Sequence, residues 1–188
     1  MKRLALWLVF VLTLALVIHI AVLLYIPRHL TAQAVDILFA KYGGSDRLRN
    51  VLIHAALPRA GADILLGDSP DSLISFAVLD TSSTPVRLHC VVPPGDDYWS
   101  AALFAWNTDA FWVINDREAP ADVFDVVVVK KGSLYEALPG ERLVVSPTRR
   151  AVMIVRTNVD DRQDTARVHA LTEAQQQMWV SAVQGVMY

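Results

Sequence analysis

The chain has 188 residues, a formal net charge of −2 and a single cysteine, Cys90. That length allows one ordinary domain with a real core. The charge excludes a broad basic surface for nucleic acid, and one cysteine excludes an internal disulfide or a thiolate metal site, leaving Cys90 as a small core hydrophobe.

Met1-Lys2-Arg3 precedes an apolar run from Leu4 to Ile26, interrupted by Thr13 and His19. As a helix the run extends roughly 34 Å, slightly more than a hydrocarbon core of about 30 Å, and a modest tilt absorbs the excess. Residues 4–26 therefore read as a transmembrane anchor in the lipid bilayer. Lys2 and Arg3 outweigh the lone Arg28 beyond the far end, which puts residues 1–3 in the cytoplasm and residues 27–188 outside. The competing reading is a signal peptide cleaved after Ala32-Gln33-Ala34, but the apolar run exceeds a normal signal core of about 7–15 residues. His19 reads as a tolerated imidazole within the span.

Thr31–Tyr42 has helical spacing of Val35, Leu38, Phe39 and Tyr42, with Gly43-Gly44 as its stop. Ser45–Pro70 mixes prolines and turn residues with apolar positions and reads as irregular chain or short strands. His54, with no second ligand at metal spacing, reads as a structural hydrogen-bonding residue.

From Leu73 the period becomes that of strands. Seven β-prone runs follow: Leu73–Asp80, Val86–Val92, Tyr98–Trp106, Ala110–Asn115, Val123–Lys130, Arg142–Ser146 and Ala151–Thr157. Turn-rich separators between them predict an antiparallel β-sandwich or barrel-like domain with flanking helices. Tyr98–Asn115 reads as a hairpin about Asn107-Thr108-Asp109, with Trp106 opposite Ala110 and Phe104 opposite Trp112. In Val86–Val92 the alternation buries Cys90 and exposes Arg87 and His89, whereas Phe124–Val129 is apolar on both faces like a central strand. Asp160–Asp164 is a charged connector. After it Thr172 and Gln175 suggest a capping box opening a helix with Met178, Trp179, Val183 and Val186 as contacts.

Four segments together resemble domain of unknown function 1254 (DUF1254), in a short membrane-anchored form. They are Ser69-Pro70-Asp71, Asp80 and Pro85 in LDTSSTPV, YWSAALFAWNTDAFWVINDR, and SPTRRAVMIVR from Ser146 to Arg156. Against the family's pattern Thr84 and Ala151 replace glycines and Leu79 replaces a tyrosine, where glycine would admit positive φ cheaply. The resemblance covers most of the outer domain. It implies a β-rich domain on the periplasmic side of a bacterial inner membrane, and no established reaction.

The candidate ligand-binding residues are Asn115, Asp116, Arg117, Arg149 and Arg150, at strand ends where sandwiches place their sites. In the functional reading an arginine holds a carboxylate or phosphate while Asn115 and Asp116 orient it. In the structural reading Asn115 and Asp116 cap a turn, and Arg117 or Arg149 pairs with Asp116. Asn107 and Asp109 belong to the hairpin loop itself. The five histidines are dispersed, and no nucleophile motif, phosphate loop, metal set or cofactor motif appears. The sequence thus favours a non-enzymatic envelope protein binding a partner protein or small ligand. The alternative is a periplasmic hydrolase-like enzyme centred on Asp116 and Arg149.

Overall fold

A computed structural model describes residues 2–43, 48–58 and 71–183. Gly44, Ser69, Pro70 and Val186, singled out above, lie outside the described residues.

The first element is a single helix, α1 (Lys2–Tyr42), of 41 residues. The sequence predicted an anchor ending at Ile26 and a second helix from Thr31. Instead the helix runs through Pro27, which lacks an N–H and would ordinarily break it. Nearby polar side chains support this stretch: the Thr31 hydroxyl donates to the Pro27 carbonyl at 3.0 Å, and the Arg28 guanidinium donates to the Leu24 carbonyl. Residues 2–26 are exposed throughout, whereas Val35 and Phe39 are buried. Gly43 at φ 109 ends the helix in the left-handed region, as expected of its stop.

Nine strands follow among the described residues: β1 (Ile53–His54), β2 (Ser72–Asp80), β3 (Val86–Val91), β4 (Trp99–Ala105), β5 (Ala110–Asn115), β6 (Val123–Lys130), β7 (Glu141–Ser146), β8 (Arg150–Asn158) and β9 (Trp179–Ala182). They form two separate sheets, ordered β1-β2-β8-β4-β5 (sheet A) and β7-β6-β3-β9 (sheet B). The barrel alternative is therefore incorrect, because the sheets are not joined into a closed ring. Each chain crossing from β2 to β3, β3 to β4, β5 to β6 and β7 to β8 switches sheets, as sandwiches require. Sheet A is wholly antiparallel, but β6 and β7 pair in parallel, Val128 against Val144.

The core lies between the sheets. Strand β4 alternates strictly, burying Trp99, Ala101, Leu103 and Ala105 and leaving Ser100, Ala102 and Phe104 half-buried on the outer face. From sheet B, Val86, Leu88 and Cys90 meet them, with Val126 and Val128 alongside. Trp99 stands edge-on to Phe124 at 6.3 Å. Burial and, behind it, Asp125 push the Cys90 thiol up to about 12.

Strands β4 and β5 form the expected hairpin with a different register. Leu103 lies opposite Trp112 and Phe104 opposite Ala110, so Phe111 is the extra residue of a β-bulge. The loop closes with the Thr108 N–H on the Ala105 carbonyl, and Thr108 adopts φ 76, a costly conformation for a β-branched residue. Asn107 donates to Asp109 within the loop, at 2.6 Å.

Helix α2 (Thr165–Gln177) begins seven residues before the predicted cap. Its N-cap is Asp164, which accepts from the Arg167 N–H at 2.9 Å, while the Thr172 hydroxyl donates back to Val168 at 2.7 Å. The helix stops at Gln177, and Trp179 enters β9 beside β3 rather than continuing it. Arg167 ties α2 to the loop before β4 by a charge-assisted pair with Asp97. Gly95, at φ 97, leaves room for that guanidinium: a Cβ there would sit 2.3 Å from Arg167 Nη2.

Candidate functional site

The sequence-selected polar residues separate into two groups. Asn115 accepts from the N–H groups of Arg117 and Glu118 at 3.0 and 3.2 Å, capping the turn after β5 as the structural reading held. Asp116 donates its N–H to the Trp99 carbonyl, and Arg117 is exposed. Arg149 and Arg150 sit at the other end of sheet A. The Arg149 carbonyl accepts from Thr81, and Arg150 pairs with Asp80 across β8 and β2. Asn115 lies opposite Ser100, which in turn lies opposite Arg156. The six residues from Arg150 to Arg156 separate the groups by about 20 Å at roughly 3.3 Å per residue. No pairing of Asp116 with Arg149 or Arg150 is formed.

The Arg150 group is instead a self-satisfied cluster. Asp80 faces Arg150 at 3.6 Å and Arg49 at 3.7 Å, and accepts from the Ser82 N–H at 3.0 Å. Its carboxyl titrates below the usual range: burial opposes ionisation, but Ser82, then Arg150 and Arg49, outweigh it. Asn50, at φ 55, clasps the Asp80 backbone through both its amide oxygen and its amide nitrogen.

Two further clusters were not legible as such. Between β1, β2 and α2, buried Gln175 donates to the Ile74 carbonyl and Ser75 hydroxyl at 3.1 Å each, and Ser75 Oγ lies 2.9 Å from His54 Nδ1. Burial lowers the His54 pKa, with a hydrogen bond to the Met178 backbone opposing it. His54 is thus the structural residue the sequence suggested. On the outer face of sheet B, His89 is not simply solvated: it stacks on Trp179 at 5.0 Å and meets Asp125 Oδ1 at 2.7 Å. Arg87 pairs there with Glu141, which accepts from the Tyr135 hydroxyl at 2.7 Å. The alternation in β3 put Arg87 and His89 on one face; their partners come from β6, β7 and β9, too distant in sequence to be read. Among the described residues no group of three His, Cys, Asp or Glu side chains converges on a common point suited to a metal.

A groove of about 250 Å³ lies between α1 and the outer face of sheet A. Its walls are apolar. Ala34, Val35 and Leu38 of α1 form one side, and Phe76, Phe104, Val152 and Ile154 form the other. The helix runs along the sheet in a fixed direction: Val35 and Phe39 pack with Val78 and Trp106, while Tyr42 meets Phe76 edge-on at 5.3 Å. One end of the groove is consequently marked by Thr31 and Thr108, the other by Lys41 and Arg156. Both cations are exposed, and among the described residues neither has a carboxylate partner.

Fold and site together define a two-sheet β-sandwich clasped by the inner turns of a long apolar helix, with an apolar groove beneath the clasp. The family model described as "Protein of unknown function (DUF1254)" matches residues 49–180, and the chain belongs to that family. Among solved structures it resembles the VPA0106 protein from Vibrio parahaemolyticus, with a TM-score of 0.55 and 11% identity over 64% of this chain and 33% of that one. An uncharacterized protein from Burkholderia cenocepacia gives a TM-score of 0.49 and 15% identity over 87% of this chain and 41% of that one. The chain spans a third to two fifths of the length of these structures, and at 11% identity the likeness to the Vibrio protein concerns the fold alone. No curated protein matches the chain.

Proposed function

We propose that this protein is a single-pass, non-enzymatic envelope protein whose β-sandwich is held against the periplasmic face of a bacterial inner membrane and binds an apolar ligand there. The observation that carries the reading is the division of α1. Residues 4–26, apolar but for Thr13 and His19, are exposed throughout, Phe10 at 57% and Leu16 at 57%, while Val35 and Phe39 further on are buried against sheet A. An exposed apolar helix of this length is stable when lipid surrounds it. Lys2 and Arg3 orient its amino terminus toward the cytoplasm. A helix continuous from the span to the sandwich fixes the domain close to the bilayer surface, as a flexible linker would not.

Retention of the anchor is favoured by the setting of Ala32-Gln33-Ala34. The triplet lies inside α1, directly before buried Val35, rather than in an exposed loop where proteolysis concentrates. A hydrolase built on Asp116 and Arg149 would need both residues in one site, and the strand geometry holds them at opposite ends of sheet A. The test is an alkaline carbonate wash of membranes carrying the full chain, with its intact mass measured and an alkaline phosphatase fused after Tyr188. Retention in the pellet, an uncleaved mass and an active phosphatase are expected. A soluble protein beginning at Val35, or an inactive fusion, would overturn the reading.

A further inference from the structure

The groove has a polarity that the anchoring alone does not explain. Thr31 precedes Lys41 by ten residues of helix, about 15 Å at 1.5 Å per residue, so the cationic end lies farther from the span than the Thr31 end. On the sheet, Arg156 is five residues beyond Ala151, itself opposite Ala105 near the Thr108 loop, a further interval of roughly 17 Å. Apolar walls thus lead away from the side of the membrane span and finish at two cations without carboxylate partners among the described residues. An acyl chain lying in the outer leaflet has the same polarity, tail inward and charged head outward.

We propose that the groove binds one single-chain anionic amphiphile, its acyl chain between Leu38, Phe104 and Ile154 and its head oxygens on Lys41 and Arg156. This rests on the anchored reading above. One chain is specified because about 250 Å³ falls below the usual volume of a drug-sized ligand pocket, roughly 300–1,000 Å³, and leaves no room for a two-chain lipid. An anionic head is specified because Arg offers a planar fork and Lys a mobile ammonium, the two donors suited to carboxylate or phosphate oxygens. The Lys41 ammonium lies 5.4 Å from the Tyr42 ring centroid, a contact that positions it at the mouth without neutralising it. A ligand drawn upward from the bilayer keeps its orientation and leaves the hydrocarbon region without exposing its tail to water.

The test uses the full chain in phosphatidylethanolamine and phosphatidylglycerol vesicles with four diazirine-tailed photoprobes: palmitate, lysophosphatidylglycerol, hexadecanol and phosphatidylglycerol. Adducts are mapped by mass spectrometry. The expected result is labelling within Leu38, Phe104 and Ile154 by palmitate or lysophosphatidylglycerol, whichever of the two labels more strongly naming the head as carboxylate or phosphate. Lys41→Glu with Arg156→Glu, both at exposed positions, is expected to lower that labelling about tenfold, with an unchanged melting transition. Ile154→Trp, which fills the groove, is expected to abolish it. Groove labelling by hexadecanol or two-chain phosphatidylglycerol equal to that by the anionic single-chain probes would overturn the proposal, as would adducts confined to residues 4–26. Groove adducts without any in residues 4–26 would instead count against the anchor and leave the groove assignment standing.

Discussion

The Arg150 guanidinium lies over the Trp106 indole, 5.7 Å from its centroid, while its Nε faces Asp80 at 3.6 Å. The contact joins the hairpin loop, the start of β8 and the end of β2 at one edge of sheet A.

Asp80 is the centre of that arrangement, and its depressed pKa gives it a pH signature. Because the folded value lies below the unfolded one of about 3.9, its stabilising contribution is present above that value and is lost as pH falls through the folded pKa. Asp80→Asn is expected to cost about 0.5–1 kcal/mol at neutral pH, since the pairs are long and partly exposed. Thermal melts of both proteins from pH 7 to pH 2 check this. The gap in Tm should close at the acid end, and a gap that persists there would show that the ionised carboxylate is not what Asp80 contributes.

Asp116 and Arg149 should behave as strangers. The register of β4, β5 and β8 places them at opposite ends of sheet A, beyond the distance at which side chains couple. Urea denaturation of Asp116→Ala, Arg149→Ala and the double variant should give free-energy changes that add within about 0.5 kcal/mol. A coupling above about 1 kcal/mol would restore a shared site.

Gln175 spans α2 and the edge of sheet A, at 3% exposure, with its amide nitrogen on two backbone carbonyls and Ser75. Replacing it with leucine keeps the bulk and removes the donor those groups share, at a cost of about 1–3 kcal/mol. Equilibrium unfolding measures the loss. Gln175→Glu should be at least as damaging, because it removes the donor and buries an acid.

Cys90 is enclosed by both sheets and keeps its proton up to about pH 12. Folded protein at pH 8 should resist iodoacetamide, with complete alkylation after unfolding in urea. Its folded pKa lies above the unfolded value of about 8.5, so its contribution to stability is fully present below that value and declines as pH rises above it. Rapid alkylation of the native protein at pH 8 would show that the core opens locally.

Local patterns in this chain carried most of the elements. All seven predicted strands form, each within about a residue of its expected ends, because alternation in Leu73–Asp80 or Tyr98–Trp106 is a property of the segment itself. Local chemistry misled where two signals competed. Thr172 and Gln175 have capping-box spacing, yet Asp164 captures the first helical N–H groups and makes Thr172 an interior residue. Trp179–Ala182 is too short to announce a strand and becomes one only because β3 offers it a free edge. Pro27 lacks an N–H to donate within the helix, yet neighbouring side chains and the packing of Val35 and Phe39 carry α1 past it.

By itself the sequence determined the long apolar stretch at the amino terminus, the β-rich domain after it, the place of Cys90 in the core and the kinship with DUF1254. Tertiary structure decided which polar residues meet. A strand register sets distances of about 3.3 Å per residue along a sheet, and no local pattern encodes which strands lie side by side. Asn115 and Asp116 are therefore held far from Arg149 and Arg150, while Lys41 and Arg156, 115 positions apart in sequence, share the mouth of one groove.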